Sequence, residues 1–518
     1  MSERNKHNQR TGWRERMPLV GLVVIGLLSG LLYWQGIAAQ YPLAQGLIKP
    51  GTTWARLVDF SLWAGARHAV VYILLTIGYV GALHLALHIT HVQQRTAIAI
   101  IGVVWLLCSI ILLAAYPGDS LDIFEYLFRG RMQVLFGASP LAVTPDAFRD
   151  QPFYANLTWG EWVDAYGPLW EYASGLVART VGAVSAGRAE DYILGYRLWA
   201  IMLTGVSGVL IALIVRQHSP RHLSAALLAW FWNPLLLIAT AVGAHNDGIM
   251  LVLILGTVLL FQRQHWLLGL IVFGLAAHTK ITALLLLPVL GLWLLRQCGW
   301  RRTFGIGAVA VAIIVPVSWL LYAPLGGWAT LPRMLQERHI LTYNSLANVV
   351  FEFLIWSRGW DATDARQATI RGSELGFVLI AGGLLILFWW RTATRPLDSA
   401  VLWQASSVVL LMYLLVGCFW FQYWYASWVL VFAVLLPASR FTTVLMPCFT
   451  CGALCSNLVT NFLINDPARR VPWLQINRLM VATLFTPLIC AIAILGLSYL
   501  LQRSLDASKR KRWATRST

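Results

Sequence analysis

Long apolar stretches, separated by short polar breaks, run almost the whole length of the chain. Fourteen follow one another, near residues 17–36, 69–89, 96–115, 191–215, 222–243, 248–262, 266–278, 281–296, 303–322, 372–390, 399–418, 424–438, 441–463 and 479–502. Most reach the ~20 residues with which a helix crosses ~30 Å of hydrocarbon. The stretches 266–278 and 281–296 are short, and read either as two stubby helices or as one re-entrant hairpin. The pattern predicts an all-α polytopic membrane protein. A bundle of about 14 transmembrane helices would occupy residues 17–502, between basic tails at 1–16 and 503–518.

Composition agrees. Of 518 residues, 58% are hydrophobic and 12% charged, half the ~25% charged of an ordinary soluble protein. A water-soluble globule could not cover so much apolar surface. The net charge of +17 changes meaning once it is placed on the chain. With the N-terminal residues Arg4, Lys6, Arg10, Arg14 and Arg16 in the cytoplasm, alternation brings Lys509-Arg510-Lys511-Arg512 to the same side. The inner side then holds 21 Lys and Arg against four acids, and the outer side 18 against 18. The positive-inside bias accounts for the whole surplus, and no nucleic-acid partner is expected. No cleavage pattern follows the first stretch, which reads as an anchor rather than a signal peptide.

The outer side also carries the two long connections, 116–190 and 323–371. Loops of this length are commonly functional, and chemistry that needs carboxylates belongs there. In the first, Pro117-Gly118 ends a span and Asp119 or Ser120 falls where a helix N-cap belongs. Leu121, Phe124, Phe128, Met132 and Leu135 then recur at steps of three and four. This predicts an amphipathic helix on the outer membrane surface, with Asp122, Glu125 and Arg129 on another face. Asp119 reads as cap or catalyst, and Glu125 with Arg129 as an i,i+4 ion pair. Asp122 has no i+4 partner except Tyr126, which makes it a carboxylate candidate. Gly137-Ala138-Ser139-Pro140 and Asp164-Ala165-Tyr166-Gly167-Pro168-Leu169-Trp170 follow, the second with a rigid Tyr-Gly-Pro turn.

Together with Trp232-Asn233-Pro234-Leu235-Leu236, Gly243-Ala244-His245-Asn246-Asp247-Gly248, Thr279-Lys280 and Trp424-Tyr425, these segments resemble the GT-C superfamily of membrane glycosyltransferases. The subgroup they are most similar to is the bacterial alpha-(1->6)-mannopyranosyltransferases. The resemblance covers roughly residues 100–440. Two departures stand out: the acids read Asp-x-x-Asp rather than Asp-x-Asp, and Leu141 stands where the family commonly has Tyr after Ser/Asn-Pro.

The resemblance implies transfer of a hexose, mannose by subgroup, from a polyprenyl-phosphate sugar to a cell-envelope glycan or glycolipid. Transfer would proceed with inversion, on the extracytoplasmic face of a bacterial plasma membrane. Such a donor carries a good leaving group, so the acceptor hydroxyl needs a base and the phosphate needs cations. Asp122 is the expected base, with Asp119 second. Arg129, Arg131, Lys280 and Arg338 are the phosphate candidates. His245, Asn246 and Asp247 are expected at the sugar or phosphate, the alternative being a turn in which Asp247 caps the next helix. Glu125, Tyr166 and His339 complete the expected substrate contacts.

No cofactor and no metal are expected, and the non-substrate partners are membrane lipids. His84, His88 and His91, at i, i+4 and i+7, read as core or interface residues, as do Cys448, Cys451 and Cys455. A secondary transporter or lipid flippase is the alternative; it should show internal repeats and charges at mid-depth. A noncatalytic subunit of an envelope assembly is the third class.

Overall fold

The computed structural model of the protein describes residues 3–336, 342–394, 398–464, 483, 485 and 487–496. Its main helices are α1 (Glu3–Tyr33), α2 (Leu62–Leu87), α3 (Gln94–Leu113), α4 (Asp122–Phe136), α5 (Pro168–Val184), α6 (Ala189–His218), α7 (Leu223–Phe231), α8 (Asp247–Gln262), α9 (Trp266–Ala277), α10 (Leu287–Tyr322), α11 (Leu346–Arg358), α12 (Ala362–Thr394), α13 (Ser399–Met412), α14 (Ala426–Ala433) and α15 (Met446–Val459). Among the described residues the only β pairings are two isolated bridges, Pro42 with Ala115 and Tyr343 with Trp420. The basic C-terminal run lies outside the described residues, as do Arg338 and His339.

Eight helical stretches of the described residues are long and apolar enough to cross a membrane. A ninth is a bent pair, Pro220–Phe231 and Pro234–Val242, meeting at 50°. Four shorter apolar helices cover Asp247–Gln262, Trp266–Ala277, Tyr423–Ala433 and Pro487–Gly496. The bend has a local cause. Pro234 has no N–H to continue the ladder, and the Asn233 side chain accepts from Leu235 N at 3.1 Å to cap a new turn. The sequence stretches 281–296 and 303–322 stay distinct: Ile281–Leu325 is helical almost throughout but is two helices meeting at a kink. The kink is at Gly299, whose φ of 73° is a left-handed value that favours glycine. α10 and α12 present Val309, Val311, Trp319, Val378, Leu379 and Ile386 outward, faces that suit lipid chains rather than water.

The connections sort to two ends. At one, Gln94 donates to Pro220 O at 2.7 Å and Gln262 to Ile214 O at 3.3 Å. At the other, the segments near 115–121, 243–247, 278–280 and 419–425 meet. Arg197 of α6 holds this end together. It is fully buried, and its guanidinium donates to Leu113 O at 2.9 Å, Ala115 O at 2.8 Å and Val242 O at 2.9 Å. Those carbonyls end α3 and the bent pair, where a helix leaves acceptors unpaired.

The first long connection departs from the surface helix expected of it. Residues 123–130 of α4 are all buried. The polar face is covered by residues 158–164 of the same connection, because their backbone pairs with it: Glu125 accepts from Thr158 N at 2.7 Å and Trp159 N at 2.9 Å. Arg129 donates to Trp159 O at 3.1 Å and Trp162 O at 3.0 Å. The expected Glu125–Arg129 pair forms, but as a buried pair. α4 starts at Asp122 with Ser120 Oγ accepting from Asp122 N at 3.3 Å; Asp119 is not its cap. α4 ends on left-handed Gly137. Leu141 is buried against Tyr322, Leu325 and Met334, a packing role away from the acids.

Arg197→Met removes donors from three buried carbonyls, each worth ~1–3 kcal/mol when orphaned. The variant should melt well below the parent in detergent, whereas Arg197→Lys should recover part of the loss. An unchanged melting curve for Arg197→Met would remove this clamp from the account.

Candidate active site

A cavity of about 380 Å³ opens at the end held by Arg197. Asp119, Asp122, Glu125, Arg129 and Tyr166 line it. The two aspartates differ in setting. Asp119 is 4% exposed; Tyr423 OH donates to its Oδ2, and its backbone carbonyl accepts from Asn457 Nδ2 at 3.2 Å and Asn461 Nδ2 at 3.5 Å. The Asp122 side chain keeps 23% exposure at the cavity wall. Tyr126 OH donates to its Oδ2 at 3.5 Å.

His245 stands behind both acids. Its Nδ1 is 3.7 Å from Asp122 Oδ2 and its Nε2 3.5 Å from Tyr423 OH. Its ring is stacked on Trp424, centroids 3.4 Å apart at 13°. Burial first, and then the Lys280 charge, hold this imidazole neutral, well below the usual histidine range. The neutral ring, backed by tryptophan, packs behind the carboxylates and does not line the cavity.

Burial raises both aspartates. Asp122 is pushed up to about 7, by desolvation and then by the charge of Glu125, against the opposing Ser120 hydrogen bond and Lys280. Asp119 is pushed up to about 6 by desolvation, less because Tyr423 hydrogen-bonds its charged form. Such values put a carboxylate in the range of a base that works near neutral pH.

The 243–247 turn and Lys280 form a second unit. α8 leaves this end at Asp247, turns at 263–265, and α9 returns to Lys280. Lys280 Nζ closes the mouth of that hairpin on Asp247 Oδ1 at 2.9 Å, and Trp428 Nε1 donates to the same oxygen at 2.6 Å. Asp247 therefore pairs with Lys280 through its side chain rather than capping α8. The ammonium lies 4.5 Å from the Tyr425 ring centroid, 5.0 Å from Trp428 and 5.3 Å from Tyr166. The Tyr-Gly-Pro turn delivers Tyr166 there. Gly167 N donates to Thr279 O at 3.0 Å and Leu169 N to His278 O at 3.2 Å. His278 O sits where a Cβ on residue 167 would go, so only glycine lets the two backbones meet.

Lys280 thus stands behind the cavity wall, with Tyr166 and Tyr425 between it and the space. Arg131 faces elsewhere: it donates to Tyr192 OH at 3.3 Å, lies over the Phe153 ring and does not line the cavity. Asn246 is buried, lines no part of the cavity, and its carboxamide finds no partner among the described residues. Arg129 is the one cation on the cavity wall among the described residues. Besides Glu125 it faces Asp164 at 3.8 Å. Farther in, Glu171 is raised well above the usual range by burial and by Asp164, which makes it a neutral hydrogen-bonding partner. Gln133 donates to it at 2.9 Å. Among the described residues no group of three or more His, Cys, Asp or Glu is placed to hold a metal ion.

Tyr423, Arg197, Asn457, Asn461, Trp420 and Tyr343 were not among the expected site residues. Arg197 carried a signal, a lone charge inside an apolar span. Tyr423 adjoins the Trp-Tyr pair. The asparagines, in an apolar stretch without a motif, gave none.

The Asp247–Lys280 geometry separates a structural from a substrate role. Lys280→Met leaves the Asp247 charge buried without its cation, at a cost of ~3–5 kcal/mol. It should lower the melting temperature sharply, and Asp247→Asn in the same chain should restore most of it. If the double variant melts no higher than Lys280→Met alone, the pair does not close the hairpin.

Residues 23–296, more than half of the chain, match the family described as alpha-(1->6)-mannopyranosyltransferase, N-terminal domain. Residues 185–417 match glycosyltransferase family 87. The chain is 28% identical over 348 residues to alpha-(1->6)-mannopyranosyltransferase A of Mycobacterium tuberculosis, covering 64% of each. To the protein of the same name from Corynebacterium glutamicum it is 24% identical over 310 residues, 54% of this chain and 60% of the relative. To a probable alpha-(1->6)-mannopyranosyltransferase of Mycolicibacterium smegmatis it is 25% identical over 256 residues, 41% of this chain and 44% of the relative. The chain thus spans less than two thirds of the length of these relatives. The first match takes in Asp119, Asp122, His245, Asp247 and Lys280, and the chain belongs to the alpha-(1->6)-mannopyranosyltransferase family.

Proposed function

We propose that this chain transfers mannose from a polyprenyl-phosphate carrier to a cell-envelope glycan or glycolipid, on the extracytoplasmic face and with inversion. The observation that carries the proposal is the pairing of two spaces. The carboxylate-lined cavity is one. The other is an apolar groove of about 410 Å³ lined by Ile281, Leu285, Phe377 and Val409, which begins at the residue after Lys280. A lipid phosphate with a long apolar tail and a polar sugar has this shape. The +17 inner surplus supports cytoplasmic termini, an outward-facing cavity and about 14 crossings with the short helices included. The membrane would be the cell membrane.

In the step proposed, an acceptor hydroxyl oxygen bonds to the anomeric carbon. The carbon–oxygen bond to phosphate breaks, and the lipid phosphate leaves with the electron pair. The hydroxyl proton passes to Asp122. Asp119 is the positioning acid, tied through Tyr423 to the ring that faces Asp122. Lys280, paired with Asp247 behind Tyr166 and Tyr425, holds the wall beside the phosphate. Arg129 and Arg338 remain candidates for direct contact. Arg131 has no part. A transporter would need charges at mid-depth and repeated halves; membership of a glycosyltransferase family favours transfer.

The test is transfer by the purified full chain in nanodiscs, from β-linked polyprenyl-phosphate mannose to a mannooligosaccharide. An α-linked product is expected. A base works as carboxylate, and an acid raised to about 7 is protonated below that. The rate should therefore rise with pH through about 7 rather than near the ordinary ~4. No transfer from the lipid donor, a β-linked product, or an acid limb near pH 4 would each contradict the proposal.

A further inference from the structure

The cavity has an end that the step above does not use. Tyr343 and Trp420 are joined there by an isolated parallel bridge: Tyr343 N donates to Phe419 O at 2.8 Å and Phe421 N to Tyr343 O at 3.0 Å. The bridge sets the two rings side by side, centroids 4.6 Å apart at 26°. Trp159 meets Trp420 edge-on at 5.7 Å and 75°. All three rings line the cavity and none is fully buried. Gln422, Asn457 and Asn461 line it too. Each carboxamide has two N–H donors and two acceptor positions. Asn457 and Asn461 are one helical turn apart and both direct their amide nitrogen to the Asp119 carbonyl.

We infer that this end, walled by Trp420, Tyr343, Trp159, Gln422, Asn457 and Asn461, is a subsite for a pyranose ring of the acceptor. The inference rests on the glycosyl-transfer reading above. A pyranose has apolar C–H faces and a rim of hydroxyls. Aromatic faces bury the first and neutral amides pair with the second. None of the six is charged, so the set suits a neutral sugar and not a phosphate. Its position fixes which sugar. In a direct displacement the attacking hydroxyl and the departing phosphate lie on opposite sides of the anomeric carbon. The amides adjoin the backbone of Asp119, and Tyr343 is close enough to Asp122 to feel its charge, so this end lies beside the base, where the acceptor hydroxyl must sit.

Binding of α-(1→6)-mannobiose to the full chain in nanodiscs without donor, read by saturation-transfer NMR, tests this. The parent and Trp420→Phe should bind. Trp420→Ala and Asn461→Ala should each weaken binding about tenfold, the equivalent of about 1.4 kcal/mol. Binding of polyprenyl phosphate, the donor probe, should change less than about twofold. Gln422→Ala serves where a tryptophan variant fails to melt cooperatively. Absence of mannobiose binding by the parent, equal binding by all variants, or loss of polyprenyl-phosphate binding instead would overturn the subsite. Because no transfer is measured, mannobiose binding that depends on Trp420 beside absent transfer would sink the donor reading and leave the subsite standing.

Discussion

A charge placed among helix ends in an apolar bundle must find every partner within the protein, and Arg197 shows what that constraint builds. Its guanidinium has carbonyls from the end of α3 and from the bent pair as acceptors, with no carboxylate among its hydrogen bonds. Moving either segment would strand both the guanidinium and the carbonyls it serves. The α3 end leads in four residues from Ala115 to Asp119, and Val242 leads in three to His245. The clamp therefore sets the distance between the acids and the ring behind them.

The charges around the cavity divide into three sets with different consequences. Lys280 with Asp247 is neutral as a pair and closes a helical hairpin. Glu125, Arg129, Asp164 and a neutral Glu171 fasten the 158–164 wall to α4 and α5. Among the described residues, Asp119 and Asp122 have no Lys or Arg in hydrogen-bonding contact. That is why burial raises them, and why one of them, at the cavity edge, has a proton affinity suited to catalysis. The first two sets hold the walls, and the third holds the reactivity.

Helix composition was legible in the sequence, because lipid imposes long apolar runs. The aspartates, His245, Asp247 and Lys280 were legible as motif residues. Their roles were not. Tyr-Gly-Pro read as a corner, but its glycine is needed for backbone contact with residues 278 and 279. The Asp122–Phe136 stripe read as a surface helix because its periodicity is the same whether lipid or protein covers it; the covering loop lies 30 residues on. Lys280 and Arg131 read as phosphate candidates because sequence spacing does not reveal a partner 33 or 61 residues away. Asn457 and Asn461 reach the site through a contact with Asp119 across more than 300 residues.

The central claim is that Asp122, rather than Asp119, takes the acceptor proton. Single-turnover mannosyl transfer by Asp122→Asn and Asp119→Asn, with polyprenyl-phosphate binding measured on the same preparations, tests it most directly. Asp122→Asn should bind the lipid normally and lose transfer by ~10²–10⁴-fold. Asp119→Asn should lose far less, because an amide oxygen still accepts from Tyr423. Near-normal transfer by Asp122→Asn beside an inactive Asp119→Asn would exchange the two roles, and near-normal transfer by both would remove the reaction from this cavity.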